Sequence, residues 1–262
     1  MGIKIMKNKC SFRMVLYELR NINGNFMTHF FGIVFPNIMC LLLAKTVGSQ
    51  VPEEVRQEVI TSITLSMSLV MPMSIMLLGY GALYSQEVER GIPLRMRLFG
   101  YSEKSEIIAK LIAHLMFLTI AFVIFGLFQI IIMDIPKPAF SSFLCLVLSL
   151  YLLGIIFLVI AHAFAQIFKK FSITFGISMS LYFMIMMITG MMGIETEQLP
   201  EVLQKIAGMF PMTYVSNDFA SFWQGGSYNF MPYIQSLLFL GAVSGILLLY
   251  SMHKNRRIVL GG

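Results

Sequence analysis

Six apolar runs, at about residues 26–46, 59–84, 107–133, 141–168, 171–194 and 231–252, constrain this chain more than any other feature. An α-helix rises about 1.5 Å per residue, so about 20 apolar residues cross a hydrocarbon layer of about 30 Å. Each run meets that length. A soluble fold of this size has too little interior to hide them, because 57% of the residues are hydrophobic and only 12% charged. The sequence therefore predicts an all-α polytopic membrane protein with six transmembrane helices. The fourth and fifth runs meet at Lys169-Lys170. Two adjacent ammonium groups are costly in mid-membrane, so that pair marks a tight turn at the membrane surface.

Six spans return both termini to one side. Of the nineteen Lys and Arg, only Lys45, Arg56, Lys137 and Lys205 fall on the opposite side; the other fifteen, among them Lys4, Lys7, Lys9, Lys110, Arg256 and Arg257, share the side of the termini. The positive-inside bias places both termini in the cytoplasm. The net charge of +6 then reports topology and not nucleic-acid binding. Residues 1–25 are polar and basic, with no small-residue cleavage pattern after the first run, so the first span is expected to act as the insertion signal. Cys10, Cys40 and Cys145 lie far apart with no metal or redox spacing, and no disulfide framework is expected. The Lys, Ile, Asn and Met rich usage fits a bacterial plasma membrane.

Three stretches outside the spans carry pattern. Ser11 is placed to cap a helix within residues 1–25 whose apolar residues Phe12, Val15, Leu16, Leu19 and Ile22 oppose Arg13, Glu18, Arg20 and Asn21, ending at Asn23-Gly24. This describes an amphipathic helix in the cytoplasmic interface. Residues 195–230 contain Pro200 followed by Val202, Leu203, Ile206, Met209 and Phe210 at helical spacing, then an aromatic stretch from Thr213 to Trp223. Both are expected as short external helices dipping into the interface, where aromatic rings are favoured. Finally, Glu87–Glu106 reads EVERGIPLRMRLFGYSEKSE and concentrates eight of the thirty-two charged side chains in a loop between the second and third spans. Topology alone does not explain four acids among four bases. The loops 47–58 and 134–140 are too short to form a domain.

Several chemistries are missing. No G-x-x-x-x-G-K-[ST] loop occurs, so the chain has no phosphate cradle of that type and any ATP dependence must come from a partner. No Asp or Glu lies near the middle of a span, where ion-coupled transporters place carboxylates. No catalytic cluster or metal-binding set of His, Cys and acidic side chains is evident. His114 and His162 are read as neutral imidazoles hydrogen-bonded between helices. Met184, Met187 and Met191 fall on one face of the fifth span at i, i+3 and i+7. They serve as apolar filler, as an adaptable wall for lipophilic substrates, or as soft ligands for Cu(I). Gly241 and Gly245 in the last span, with Ala161 and Ala165 in the fourth, are expected to allow close helix packing.

These features together resemble the ABC-2 family of ABC-transporter permeases. Glu87-Val88-Glu89-Arg90-Gly91, followed by Leu94, Arg95, Leu98, Phe99, Gly100, Tyr101 and Ser102, is similar to that family's acidic-Arg-Gly turn, apolar-basic helix, and glycine with a small polar residue before the third span. Gly190 through Pro211, with Leu199-Pro200-Glu201 and Phe210-Pro211-Met212-Thr213-Tyr214, is similar to its segment between the fifth and sixth spans. The helix before the first span matches its connecting helix. Ile92-Pro93 departs from the Thr-Leu often found there.

The resemblance implies a connecting helix within 1–25, a transmembrane domain over 26–252 with a coupling loop at 85–106 and external re-entrant helices at 195–230, and a cytoplasmic tail at 253–262. It implies partners: a cytoplasmic ABC ATPase carrying ATP and Mg, and a second permease subunit, identical or homologous. Glu87, Glu89, Arg90 and Gly91 are expected to anchor the cytoplasmic gate. Leu94, Arg95, Arg97 and Phe99 are expected to engage the ATPase. The substrate pathway is expected to include Asn37, Ser66, Met184 and Met187. The implied activity is export of a lipophilic or amphipathic substrate such as a drug, antimicrobial peptide or lipid. Export of a lipid-linked polysaccharide is the alternative within the family, and an ion-coupled transporter the alternative outside it.

Overall fold

A computed structural model describes residues 11–133, 135–192 and 196–260, without the side chains at 217, 218 and 256–260. Lys4, Lys7, Lys9, Cys10, Asp134 and Glu195, and the side chains of Arg256 and Arg257, lie outside that description. Among the described residues the chain is helical, with no strand. A short helix α1 (Phe12–Asn23) precedes two long helices, α2 (Phe26–Gly48) and α3 (Glu53–Glu89). The seven-residue α4 (Ile92–Leu98) leads into α5 (Glu103–Ile132), α6 (Phe140–Phe168) and α7 (Phe171–Ile188). Two further short helices, α8 (Glu201–Ala207) and α9 (Pro211–Trp223), precede α10 (Phe230–Leu260). Six of these, α2, α3, α5, α6, α7 and α10, are long and apolar enough to cross a membrane.

Local chemistry sets the boundaries. The second span begins at Glu53 and not near residue 59, because Pro52 stands at its N-cap and Glu53 and Glu54 occupy a first turn where the helix dipole favours carboxylates. The third begins at Glu103, since the Ser102 hydroxyl accepts from the Ser105 N–H at 3.1 Å. The expected turn at Lys169-Lys170 is present, with Lys169 in the left-handed region at φ 54°. The last helix runs on through Leu260, past the expected end at 252. The fifth span stops at Ile188, short of 194, so Met191 lies beyond the helix and is buried, while Met184 and Met187 are exposed. The expected methionine stripe is therefore two residues long.

Helix α3 is the centre of the bundle and packs against all but the last of the other five spans. Its core includes Leu65, Met67, Leu69, Met71, Met73, Ile75, Met76 and Leu77, none more than 2% exposed. Both α2 and α3 switch to π-helical spacing, at Phe30–Val34 and Met73–Tyr80, each beside a proline, Pro36 and Pro72. Proline cannot donate to the helical ladder and crowds the carbonyl four residues back, which for Pro36 is that of Gly32, inside the first π segment; Pro72 immediately precedes the second. The two π segments meet at glycines. A Cβ on Gly32 would lie 2.6 Å from Ile75 Cγ1, and one on Gly79 would lie 2.5 Å from Thr28 Oγ1. Glycine at these two positions leaves the space that Ile75 and Thr28 occupy where α2 and α3 pack together. The expected small residues are not equally tight: Ala161 and Ala165 of α6 are fully buried, whereas a Cβ on Gly241 would reach Ile156 of α6 at 3.9 Å and one on Gly245 would meet nothing within 4 Å.

Side-chain contacts sort the loops to two ends. At one end, α1, the last turns of α3, α4 and the start of α5 come together with the α6 to α7 turn and the C-terminal half of α10. At the other, the Ser62 hydroxyl donates to the Ser216 carbonyl at 2.7 Å, and the Trp223 indole donates to the Pro136 carbonyl at 3.0 Å. The segment between the fifth and sixth spans is therefore pinned across the N-terminal part of α3 and the loop after α5. Pro200 opens α8 as expected and Gly208 follows its last residue, and α9 starts at Pro211, two residues before the expected Thr213.

Candidate functional site

The loop between α3 and α5 is a hairpin built around two left-handed glycines. Gly91 adopts φ 68° and Gly100 φ 87°, conformations that cost a residue with a Cβ about 1 kcal/mol or more. Gly91 ends α3 and opens α4, and Pro93 suits the first turn of α4 because its missing N–H has no partner there in any case. Pro93 is buried against the bundle. The opposite face is not. Leu94, Leu98 and Phe99 are 63%, 80% and 77% exposed, and the exposed Arg95 and Arg97 lie between them. The Arg95 guanidinium donates to the Arg90 carbonyl at 2.6 Å, and Arg97 pairs with Glu103 at 3.0 Å. Both arginines are thus steadied while their surroundings stay open.

Beneath this knob is a buried ion cluster. Lys110, in the second turn of α5, donates to Glu87 of α3 at 2.6 Å and to Glu18 of α1 at 2.9 Å, and stands 4.0 Å from Glu106 of its own helix. Lys110, Glu18, Glu87 and Glu106 are 3%, 6%, 8% and 5% exposed. A charge removed from water is tolerable only when paired and hydrogen-bonded, and this ammonium is hydrogen-bonded to Glu87 and Glu18, with Glu106 at ion-pair distance. Glu18 was expected on the polar face of α1. It is instead on the buried face with Val15 and Ile22, and Phe12 and Leu16 of the expected apolar face are exposed. The buried partner Lys110 overrides the simple amphipathic division.

The polar contacts continue inward and sideways. Tyr84 lies under Lys110, with 5.9 Å from the ammonium to the ring centroid, and accepts a hydrogen bond from the side-chain amide of Gln166 of α6, whose Oε1 accepts from the Asn255 amide of α10 at 2.7 Å. Tyr80 and His162 share a 2.7 Å hydrogen bond between α3 and α6, as expected for a histidine bridging helices. His114 instead bonds the Lys110 carbonyl of its own helix at 2.8 Å. Glu89 caps the fifth span by accepting the Phe171 N–H at 2.9 Å.

Glu87, Glu89, Arg90, Gly91, Leu94, Arg95, Arg97 and Phe99 therefore gather in one hairpin and its stem. The four pathway candidates do not gather. Asn37 and Ser66 are buried within the protomer, with the Asn37 amide donating to the Ile33 carbonyl of its own helix at 2.7 Å, whereas Met184 and Met187 face outward from α7. Sequence reasoning placed Lys110 in the basic loop count and missed the Lys110 cluster; the signal was a lysine inside the first turn of an apolar run. Among the described residues no three His, Cys, Asp or Glu side chains are arranged to hold a metal ion.

With this geometry in place, the chain can be compared with known families: the sequence profile of a family described as ABC-2 type transporter matches residues 12–222, from the first residue of α1 almost to the end of α9. No curated protein matches the chain closely enough to serve as a relative.

Proposed function

Because the chain belongs to the ABC-2 type transporter family, we propose that it is the permease subunit of an ATP-binding cassette exporter, driven by a separate cytoplasmic ATPase that binds ATP and Mg. The end carrying α1, the Gly91 hairpin and the end of α10 faces the cytoplasm, in accord with the distribution of Lys and Arg. The observation that carries this reading is the α4 knob: an exposed apolar and basic surface on a short helix outside the spans, fixed on a buried ionic base. Exposed Leu94, Leu98 and Phe99 are suited to fill a cleft in a partner, and Arg95 and Arg97 to fix its register.

Two permease subunits, identical or homologous, enclose the pathway. ATP binding draws the two ATPases together and carries both α4 helices with them. Their motion reaches α3 and α5 through Glu87 and Glu106 and shifts the spans toward an outward-open state. The apolar, Met and Phe rich interior favours a lipophilic or amphipathic cargo. A fluorescent amphipathic dye tests this in inside-out membrane vesicles prepared with the ATPase present. ATP and Mg are expected to drive dye accumulation that persists when an ionophore collapses proton and sodium gradients. Accumulation driven by an imposed gradient without ATP would contradict the proposal and favour an ion-coupled transporter.

A further inference from the structure

We infer that Lys110 is a positioning residue that locks the N-terminal helix and both stems of the hairpin into a single lever. Glu18 comes from α1, Glu87 from the stem entering the hairpin and Glu106 from the stem leaving it, and one ammonium group faces all three. Neither α1 nor α4 belongs to a span; α1 rests on α5 at this point, and α4 is held between the two stems that supply Glu87 and Glu106. Sliding α1 or α3 relative to α5 pulls a carboxylate away from Lys110 while burial keeps water from replacing it. An unpaired buried charge is the costly outcome, so the three elements move together or not at all. The Tyr84, Gln166 and Asn255 contacts extend the lever to α6 and α10, whereas α7 is joined to the end of α3 by the exposed bond from the Phe171 N–H to Glu89. The rigidity of this hub is a property of the permease alone; its consequence for ATP coupling rests on the function proposed above.

The test places spin labels at Leu16 on α1 and Leu98 on α4, both exposed, in a chain whose three cysteines are replaced, and measures their separation by pulsed dipolar spectroscopy in nanodiscs without ATPase. The parent is expected to give one narrow distance distribution, and Lys110→Met at least a twofold broader one. Lys110→Arg, which keeps a cation facing Glu18, Glu87 and Glu106, is expected to stay closer to the parent's width than Lys110→Met, because the charge is retained. A Lys110→Met distribution as narrow as the parent's overturns the inference. If Lys110→Met does not fold, Glu18→Leu decides by the same readout, since Lys110 then keeps Glu87 and Glu106. In the complex with the ATPase, Glu18→Leu is expected to lower dye taken up per ATP hydrolysed at least fivefold while hydrolysis continues. An equal fall in both means a merely structural role and overturns the positioning role. Failure to recover any ATPase counts against the permease reading and leaves the distance measurement standing.

Discussion

At the scale of residues, the sharpest contrast is between glycines that look alike in sequence. Gly79 and Gly245 both sit inside apolar spans, yet a Cβ on the first would meet three atoms of the buried, β-branched Thr28 between 2.5 and 3.2 Å, and on the second no atom within 4 Å. Gly79→Ala is expected to destabilise the detergent-solubilised protein by about 1–3 kcal/mol through overpacking. Gly245→Ala is expected to leave it unchanged or up to about 1 kcal/mol more stable, as helix propensity improves. Thermal unfolding of the two variants checks this, and equal losses would contradict the packing described. Which glycine was tight was not legible in the sequence, because closeness depends on where two helices cross. The residues of the hairpin were legible: Gly91 flanked by Arg90 and Pro93 is a turn signal in a short window. Lys110 was not, since its meaning depends on Glu18, which is remote in sequence and reaches it only when α1 packs on α5.

At the scale of elements, the apolar runs located all six spans, and the errors lie at their ends. Residues 53–58 and 103–106 read as loop by hydropathy but are first turns of helices, because carboxylates stabilise a helix N-terminus that hydropathy alone scores as polar. The fifth span is short, and its start depends on a neighbour. Glu89 accepts the Phe171 N–H and lies where the helix dipole favours a negative charge. Glu89→Ala is expected to cost about 1 kcal/mol at this end. Hydrogen exchange at the Phe171 amide is the measurement, with faster exchange expected there and no change in the middle of α7. An unchanged rate at Phe171 would show that the cap contributes nothing.

At the scale of the whole molecule, the chain is a bundle around α3 with its working surface at one end. The buried half of that surface ties α1, α3 and α5 together through Lys110; the exposed half, on α4, has nothing among the described residues to cover it. Composition and the charge pattern made the membrane bundle and the special character of residues 87–106 legible. The division of that loop into an ionic base and an apolar knob required the third dimension. The central claim is that α4 docks into an ATPase, and the most direct measurement is co-purification from the native membrane in mild detergent. The unaltered chain is expected to retain an ABC ATPase in equimolar amount, and a chain carrying Arg95→Glu, Arg97→Glu and Leu98→Glu to lose it while keeping its own elution volume. Equal recovery of the ATPase with the altered chain, or no ATPase with either, would contradict the account.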